Sequence, residues 1–375
     1  MNILFTGGMG FIGQSRINRL PSDYDLTIVD SLEPQIHGVN AKFSKEMQDR
    51  AHCIHADIRE LDRYADALEG VECVVHLASQ TGTGQSMYDI SRYVQQNIDG
   101  TARLLEGISR ANNKPKRIIL ASSRAVYGEG AYQLSNAITY PGNRKAASLM
   151  NGSWDITDGF GTILSPLRMS EDHAIRPTSV YGMTKAWQEQ LVAMMAKTYS
   201  MEHLTLRLQN VYGPGQKIDN PYTGIIGLFS SKIMTNEEVT LFEDGQMTRD
   251  FVHINDIASI FIWAIKHPRF SVDTLNVGTG VGTSLKTLTD LIGAKLGKAP
   301  LIRISGLYRL GDIRHAVADL SLLREIVSNW NPISLEDGLT DYLAWFVQQP
   351  NISSSFDHEA MMHLMKNAAL LECNQ

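Results

Sequence analysis

The chain begins Met1-Asn2-Ile3-Leu4-Phe5-Thr6-Gly7-Gly8-Met9-Gly10-Phe11-Ile12-Gly13. An apolar run that ends in glycines predicts a buried parallel strand, since neither face of such a strand needs polar residues. Glycines at 7, 10 and 13 then have the spacing of a strand-to-helix turn that cradles a dinucleotide pyrophosphate. Gly7 permits the tight turn and Gly10 lets the backbone approach the phosphates. Gly13 lets the following helix pack close to the strand, with its first amides toward the anion. A glycine triplet alone is weak evidence, and a structural loop is the plain alternative. Context supports the dinucleotide site, because a strand precedes the triplet and Asp30 closes the next predicted strand, Tyr24 to Asp30.

Strand and helix patterns alternate outward from that turn, which predicts an α/β fold with a Rossmann-type doubly wound parallel sheet. Further strands are expected at Ala51 to Ile58, Val71 to Ala78, Arg117 to Ser123 and Leu204 to Gln209. Helical spacing of Ile90, Val94, Ile98, Leu105 and Ile108 predicts a long helix from about Tyr88 to Ala111, and a second runs from Tyr181 to Tyr199. Residues 132–176 carry scattered glycines and prolines with little periodicity. A structureless insertion of that length is expected to be functional or partner-facing. From Gly213 the pattern turns irregular, as a smaller C-terminal α/β substrate lobe would. The expected organisation is a cofactor domain over 1–212 and a lobe over 213–350, some of whose segments return to the first domain. A tail follows over 351–375, with a helix from His358 to Leu371.

The 375 residues exceed one typical domain, and 43% hydrophobic with 20% charged residues is ordinary for a globular protein. A net charge of −6 with no basic run argues against nucleic-acid binding. Cys53, Cys73 and Cys373 are scattered and lack the spacing of a disulfide framework or a metal site. No apolar run reaches the ~18 residues of a membrane span. The first strand leaves no room for a signal peptide, so a cytoplasmic location is expected.

The strongest catalytic pattern is Tyr181-Gly182-Met183-Thr184-Lys185. Positions i and i+4 share a helix face, so the Lys185 ammonium can sit beside the Tyr181 phenol and favour its phenolate. A surface Tyr and Lys sharing one turn is the alternative. Ser123 ends a parallel strand, where ligands of open α/β sheets bind, and its hydroxyl can relay a proton to Tyr181. Ser122 is expected to cap the strand exit instead. Asp30 stands where it can accept hydrogen bonds from the adenosine ribose and repel a 2′-phosphate, which favours NAD. Asp57 with Ile58 is placed near the adenine edge, with helix capping as the alternative for Asp57. Arg207, Arg249, Arg309 and Arg314 are candidate diphosphate forks, each with a structural ion pair as its rival reading. His76 and His253 are expected to be packed rather than catalytic.

With these residues assembled, the chain resembles the NAD-dependent epimerase/dehydratase family, the extended branch of short-chain dehydrogenases/reductases. The resemblance spans about residues 1 to 348. It rests on the glycine turn, Asp57-Ile58, His76-Leu77-Ala78, Asn97, Ser122-Ser123, Val126-Tyr127-Gly128 and Tyr181 with Lys185. Arg207 to Gly215 and Arg249-Asp250-Phe251-Val252-His253 complete it. Within the family the chain is similar to the dTDP-L-rhamnose 4-epimerase-like branch through Thr81 to Tyr88, Ser122 to Gly130, Asn220 to Ile225 and Gly311 to His315. Many members of that branch carry paired cysteines in the insertion, where this chain has none. They often have Glu at the place of Gln80.

The resemblance implies catalysis by Ser123, Tyr181 and Lys185. It implies cofactor contacts from Gly7, Gly10, Phe11, Ile12, Gly13, Asp30, Asp57, Ile58, Leu77, Ala78 and Asn97, besides Tyr181 and Lys185. Substrate contacts would come from Asn210, Thr223, Phe242, Arg249, Arg309 and Asp312. The activity implied is 4-epimerisation of a dTDP- or UDP-linked sugar by transient oxidation, in a homodimer joined through the two long helices. Rival readings are a 4-keto-sugar reductase, a UDP-glucose 4-epimerase and a non-catalytic dinucleotide-binding protein. Arg124 and Ala125 stand where dehydratases carry an Asp-Glu pair, which argues against water elimination.

Overall fold

The computed structural model describes residues 1–17, 19–218, 224–350, 366 and 371–373. Its central sheet has seven strands: β1 (Asn2–Thr6), β2 (Asp25–Asp30), β3 (His52–His55), β4 (Cys73–His76), β5 (Arg117–Ser123), β6 (Glu202–Leu208) and β7 (Thr274–Val277). All pairings are parallel, in the order β7-β6-β5-β4-β1-β2-β3. The winding direction reverses between β1 and β4. In such sheets the crevice above the strand ends at the reversal is the ligand site. Gly7 leaves β1 at that crevice and Leu77 leaves β4 beside it.

Side-chain alternation along β1 divides the core. Ile3 and Phe5 face one side and join Ile28, Val75, Ile119, Leu206 and Leu275 against helix Ile254–Lys266, which offers Ile257, Ile260, Phe261 and Ile265. Leu4 faces the other side with Val29, Val74, Ile118 and Leu120. There it meets Leu104, Leu105 and Ile108 of helix Gly100–Arg110, and Val192 and Ala196 of helix Val180–Thr198. Helices on both faces explain why the strands read as continuous apolar runs.

The predicted helix from Tyr88 to Ala111 is not uniform. An α turn at Ile90–Tyr93 passes into a π turn at Val94–Asp99 before the helix Gly100–Arg110. Helix Val180–Thr198 begins where the Ser179 side chain accepts a hydrogen bond from Gly182 N, an N-cap that fixes the position of Tyr181.

The insertion is not structureless. Tyr132–Leu134 pairs antiparallel with Ala137–Thr139 and with Ser165–Pro166, and a short helix spans Ala146–Met150. Tyr132, Ile156 and Leu164 form its own small core. Strands of two or three residues are too short to show a period, which is why the sequence pattern missed them.

A second sheet joins Asn210–Tyr212, Thr248–His253, Gly282–Ser284 and His315–Ala316. Beside it lies a separate apolar cluster that includes Phe229, Ile233, Leu241, Phe251, Leu288 and Tyr342. Leu307–Arg309 pairs antiparallel with Leu371–Cys373. The helix expected from His358 lies almost wholly outside the described residues, and Leu371, its expected end, begins this strand instead. No helix among the described residues is long and apolar enough to cross a membrane.

Candidate active site

The crevice opens into a cleft of about 520 Å³, within the range of small-molecule sites. Gly7, Gly10, Phe11, Ile12 and Gly13 form one wall. Gly7 has φ +67, and a Cβ there would lie 2.6 Å from the Ala78 amide nitrogen. A Cβ on Gly13 would collide with the carbonyl of Gly8, so the following helix could not pack onto the turn. The turn is a backbone cradle with no room for a side chain at Gly7 or Gly13, and this fits a pyrophosphate.

Asp30 ends β2, is 7% exposed and accepts hydrogen bonds from Met9 N and Leu32 N, both at 2.8 Å. A carboxylate has about four lone-pair positions, so capacity remains for two ribose hydroxyls. Asp30, Ile58, Leu77 and Ala78 line one side pocket together with Gly7 and Gly10. Asp57 is not brought there. Its carboxylate is taken by the Arg59 guanidinium at 2.8 Å and by Gln96, so it ties down the loop after β3. Burial opposes that charge, but the Arg59 and Gln96 hydrogen bonds hold the carboxyl below its usual range.

Asn97 lies in the π turn and is fully buried. It donates to Gln80 O and Thr184 Oγ1 and accepts from Gln80 N at 2.7 Å. Its amide therefore fixes the loop after β4 to the helix carrying Tyr181 and does not line the cleft.

Ser123, Tyr181 and Lys185 converge on the far side of the cofactor turn. Ser123 Oγ accepts from Ala125 N at 3.2 Å and is also hydrogen-bonded to the Tyr181 phenol. Ser122, expected to cap the strand exit, donates instead to Glu189, which is paired with Arg207 at 2.8 Å. The capping bond belongs to Ser123. Lys185 is 3% exposed, donates to Ala121 O at 2.9 Å and lies 6.0 Å from the Tyr181 ring centre.

Burial pushes the Tyr181 phenol above its ordinary value, and what opposes burial is the Ser123 hydrogen bond and the Arg124 cation. Burial also pushes the Lys185 ammonium down to about 7, with Glu189 resisting.

The lining of the cleft is cationic although the chain as a whole is acidic. Arg124, Lys185, Lys217, Lys232, Arg249 and Arg309 line it, with Asp312 as the carboxylate among them. Arg249 donates to the carbonyls of Thr248, Ile313 and Arg314, none of which neutralises it. Arg309 lies 3.8 Å from Asp312 and stacks 4.6 Å over the Phe242 ring, and its buried Nε has no partner among the described residues. Asn210 Oδ1 accepts from Arg124 Nε at 2.8 Å. Thr223 lies outside the described residues.

Arg207 and Arg314 are structural, the first held by Glu189 and Tyr127, the second by Asp155, Glu243 and Asp244. His76 is buried in a hydrogen-bonded cluster with Thr6 and Thr101 and is pushed down to about 3 by burial. Sequence reasoning missed Arg124, Lys217 and Lys232 as lining residues. Arg124 could have been found from its place directly after Ser123. The two lysines carry no local signal.

Residues 3–146 and 161–278 match the NAD dependent epimerase/dehydratase family, and the gap between them lies in the insertion. The dTDP-L-rhamnose 4-epimerase of Burkholderia thailandensis is 39% identical over 354 residues, covering 92% of this chain and 95% of that one. The solved UDP-N-acetylglucosamine 4-epimerase of Methanobrevibacter ruminantium, in complex with UDP-N-acetylmuramic acid, has a TM-score of 0.73 at 26% identity. That comparison covers 93% of this chain and 98% of the other. The UDP-glucose 4-epimerase of Thermotoga maritima with UDP-glucose has a TM-score of 0.70 at 27% identity, covering 93% and 99%. Because the match takes in the glycine cradle of β1 and the Ser123–Tyr181 wall alike, the chain belongs to the NAD dependent epimerase/dehydratase family.

Proposed function

We propose that the protein is an NAD-dependent 4-epimerase of nucleotide sugars, and that its substrate is a dTDP-6-deoxyhexose of the dTDP-L-rhamnose kind. One observation carries the reading. A single cleft is lined both by Ser123 and Tyr181 and by Arg249 and Arg309. The similarity to the dTDP-L-rhamnose 4-epimerase supports the choice of sugar.

Bound NAD supplies the acceptor, and then the donor, of hydride at C4 of the sugar. Tyr181 Oη takes the proton of the 4-hydroxyl and later returns it, while Ser123 Oγ hydrogen-bonds the same oxygen. Arg249 and Arg309 hold the diphosphate. Anchoring only the nucleotide leaves the sugar free to turn over, which epimerisation requires. Arg124 and Ala125 follow Ser123, so the acid and base that water elimination needs are not supplied there. The Tyr181 phenol sits above its ordinary value, so the rate is expected to rise with pH as the phenolate forms.

The proposed division of labour gives 1–212 to the cofactor and 213–350 to the nucleotide sugar. It draws support from the separate apolar clusters and from the return of β7 to the central sheet. A homodimer is proposed through the exposed Met183, Trp187 and Met194 of helix Val180–Thr198 and the nearby Ile90 and Val94. The unpaired thiols of Cys53 and Cys73 support a reducing, cytoplasmic location.

The test is to incubate the purified protein with dTDP-L-rhamnose, without added cofactor, and follow the sugar by proton NMR. Equilibration with the 4-epimer is expected, and Tyr181→Phe should abolish it. Inertness without cofactor, together with stoichiometric NADPH consumption on a 4-keto sugar, would replace the epimerase with a reductase.

A further inference from the structure

We propose that the C-terminal strand Leu371–Cys373 is a strap that positions Arg309 in the cleft, with Leu371 and Glu372 as its positioning residues. The inference rests on the proposed function in taking Arg309 as a holder of the diphosphate.

Arg309 reaches the cleft from a strand of three residues, Leu307–Arg309. A strand that short depends on its neighbours for its place. Its first half is bound to the segment around Phe242, where Ser305 N donates to Leu241 O at 2.9 Å and Leu307 O accepts from Glu243 N at 2.8 Å. Its ladder partner among the described residues is the C-terminal strand, which runs antiparallel with Tyr308 opposite Glu372 and Arg309 opposite Leu371. The residue directly across from Arg309 is therefore part of the chain's end.

Side chains reinforce the ladder on both of its faces, since opposite residues of an antiparallel pair share a face and successive ones alternate. On one face Tyr308 is fully buried, and its hydroxyl donates to Glu372 Oε2 at 2.6 Å. The Tyr308 ring also lies 6.1 Å from that of Trp154 in the insertion. On the other face Leu371 is 5% exposed and belongs to the apolar cluster that contains Phe242. Arg309 stacks on that same Phe242 ring, lies beside the Asp312 carboxylate and accepts at its carbonyl from Asp312 N at 3.2 Å. Ring and carboxylate aim the guanidinium, while the strap holds the backbone beneath it. Without the strap, Tyr308 and Arg309 would lie on an unpaired edge whose amides and carbonyls must find other partners. A displacement of about 1 Å in a group that positions a substrate can cost as much as a hundredfold.

The experiment titrates the NAD-loaded protein with dTDP in a calorimeter. Arg309→Met is expected to bind about tenfold to a hundredfold more weakly, the worth of a hydrogen bond to a charged group. Leu371→Asp, which sets a carboxylate in the apolar cluster and lifts the strap, should weaken dTDP by about tenfold or more. It should also raise KM for the nucleotide sugar with little change in kcat, because the strap touches no reacting atom. Glu372→Ala should weaken binding in the same direction, and Glu372→Gln, which keeps an acceptor for Tyr308, should restore it. A strap that acts through Arg309 has nothing left to position in Arg309→Met, so adding Leu371→Asp to that variant should cost no further affinity. Wild-type affinity in the strap variants or in Arg309→Met, or additive losses in the double variant, overturns the proposal. Should Leu371→Asp fold poorly, Glu372→Ala takes its place in the cycle and the same outcomes apply. If the wild type interconverts no nucleotide sugar while the dTDP affinities follow this pattern, the epimerase reading falls and the strap stands. Normal interconversion, with strap variants that bind dTDP as the wild type does, means the reverse.

Discussion

Asp30, proposed to select the cofactor, is held in place by two hydrogen bonds. By accepting from Met9 N and Leu32 N it keeps its carboxylate at the mouth of the glycine cradle. The carboxylate lines the side pocket together with His37. A hydrogen bond to a charged group contributes about 1.5–3 kcal/mol, or roughly tenfold to a hundredfold in affinity. Asp30→Ser should therefore weaken NAD binding by about that factor while narrowing the preference over NADP, since the repulsion of a 2′-phosphate goes too. Paired calorimetric titrations of the apoprotein would show it, and equal losses for both cofactors would refute the assignment. Asp30, Ser123, Tyr181 and Lys185 were legible in the sequence because each sits at a strand end or at helical spacing from a partner. The lining of the cleft by Lys217 and Lys232 was not, because it depends on where a loop and a helix fold back over the strand ends, which leaves no periodic trace.

Among the elements, the turn after β1 tolerates least change. In Gly7→Ala the new Cβ meets backbone atoms of Leu77 and Ala78, which cannot swing aside as a side chain would, and φ +67 is strained for alanine. A cost of about 1–3 kcal/mol is expected, read as a lower thermal midpoint together with loss of NAD from the purified protein. A variant that keeps both its midpoint and its cofactor would show that the turn has slack. The same turn was the clearest feature of the sequence because strand, glycines and acid follow one another within one βαβ unit. The π turn at Val94–Asp99 lay inside a helical pattern that the sequence carried straight through. An extra backbone residue per turn changes which side chain faces inward without altering composition. That turn buries Asn97 where it ties Gln80 to Thr184. The short strands of the insertion were invisible for a different reason, each being too brief to alternate.

Over the whole molecule, the insertion is tied to the segments that carry Phe242 and Asp312 by buried charge. Arg144 of the insertion, 4% exposed, pairs at 2.7 Å with Glu243, 1% exposed, and donates to the Asp312 carbonyl. Glu243 also receives Arg314, which reaches Asp155 of the insertion and Asp244. Glu243 holds a left-handed φ of 53, and it stands next to Phe242, over which Arg309 stacks. The partners are about 70 to 170 residues apart in sequence, so no window could have paired them. Burial already pushes the nearby Glu129 carboxyl up, and the Arg144 guanidinium is the strongest of the groups that oppose it. Arg144→Met therefore strands Glu243 beside one arginine instead of two and leaves Glu129 without its cation. Breaking a buried pair from one side costs about 3–5 kcal/mol, because the orphaned charge keeps its desolvation penalty. Urea unfolding of Arg144→Met should show a loss of that order. The double variant Arg144→Met with Glu243→Gln should lose less than the single one, since it removes the stranded charge as well. If the double variant is the less stable, the network stabilises through shape rather than charge balance.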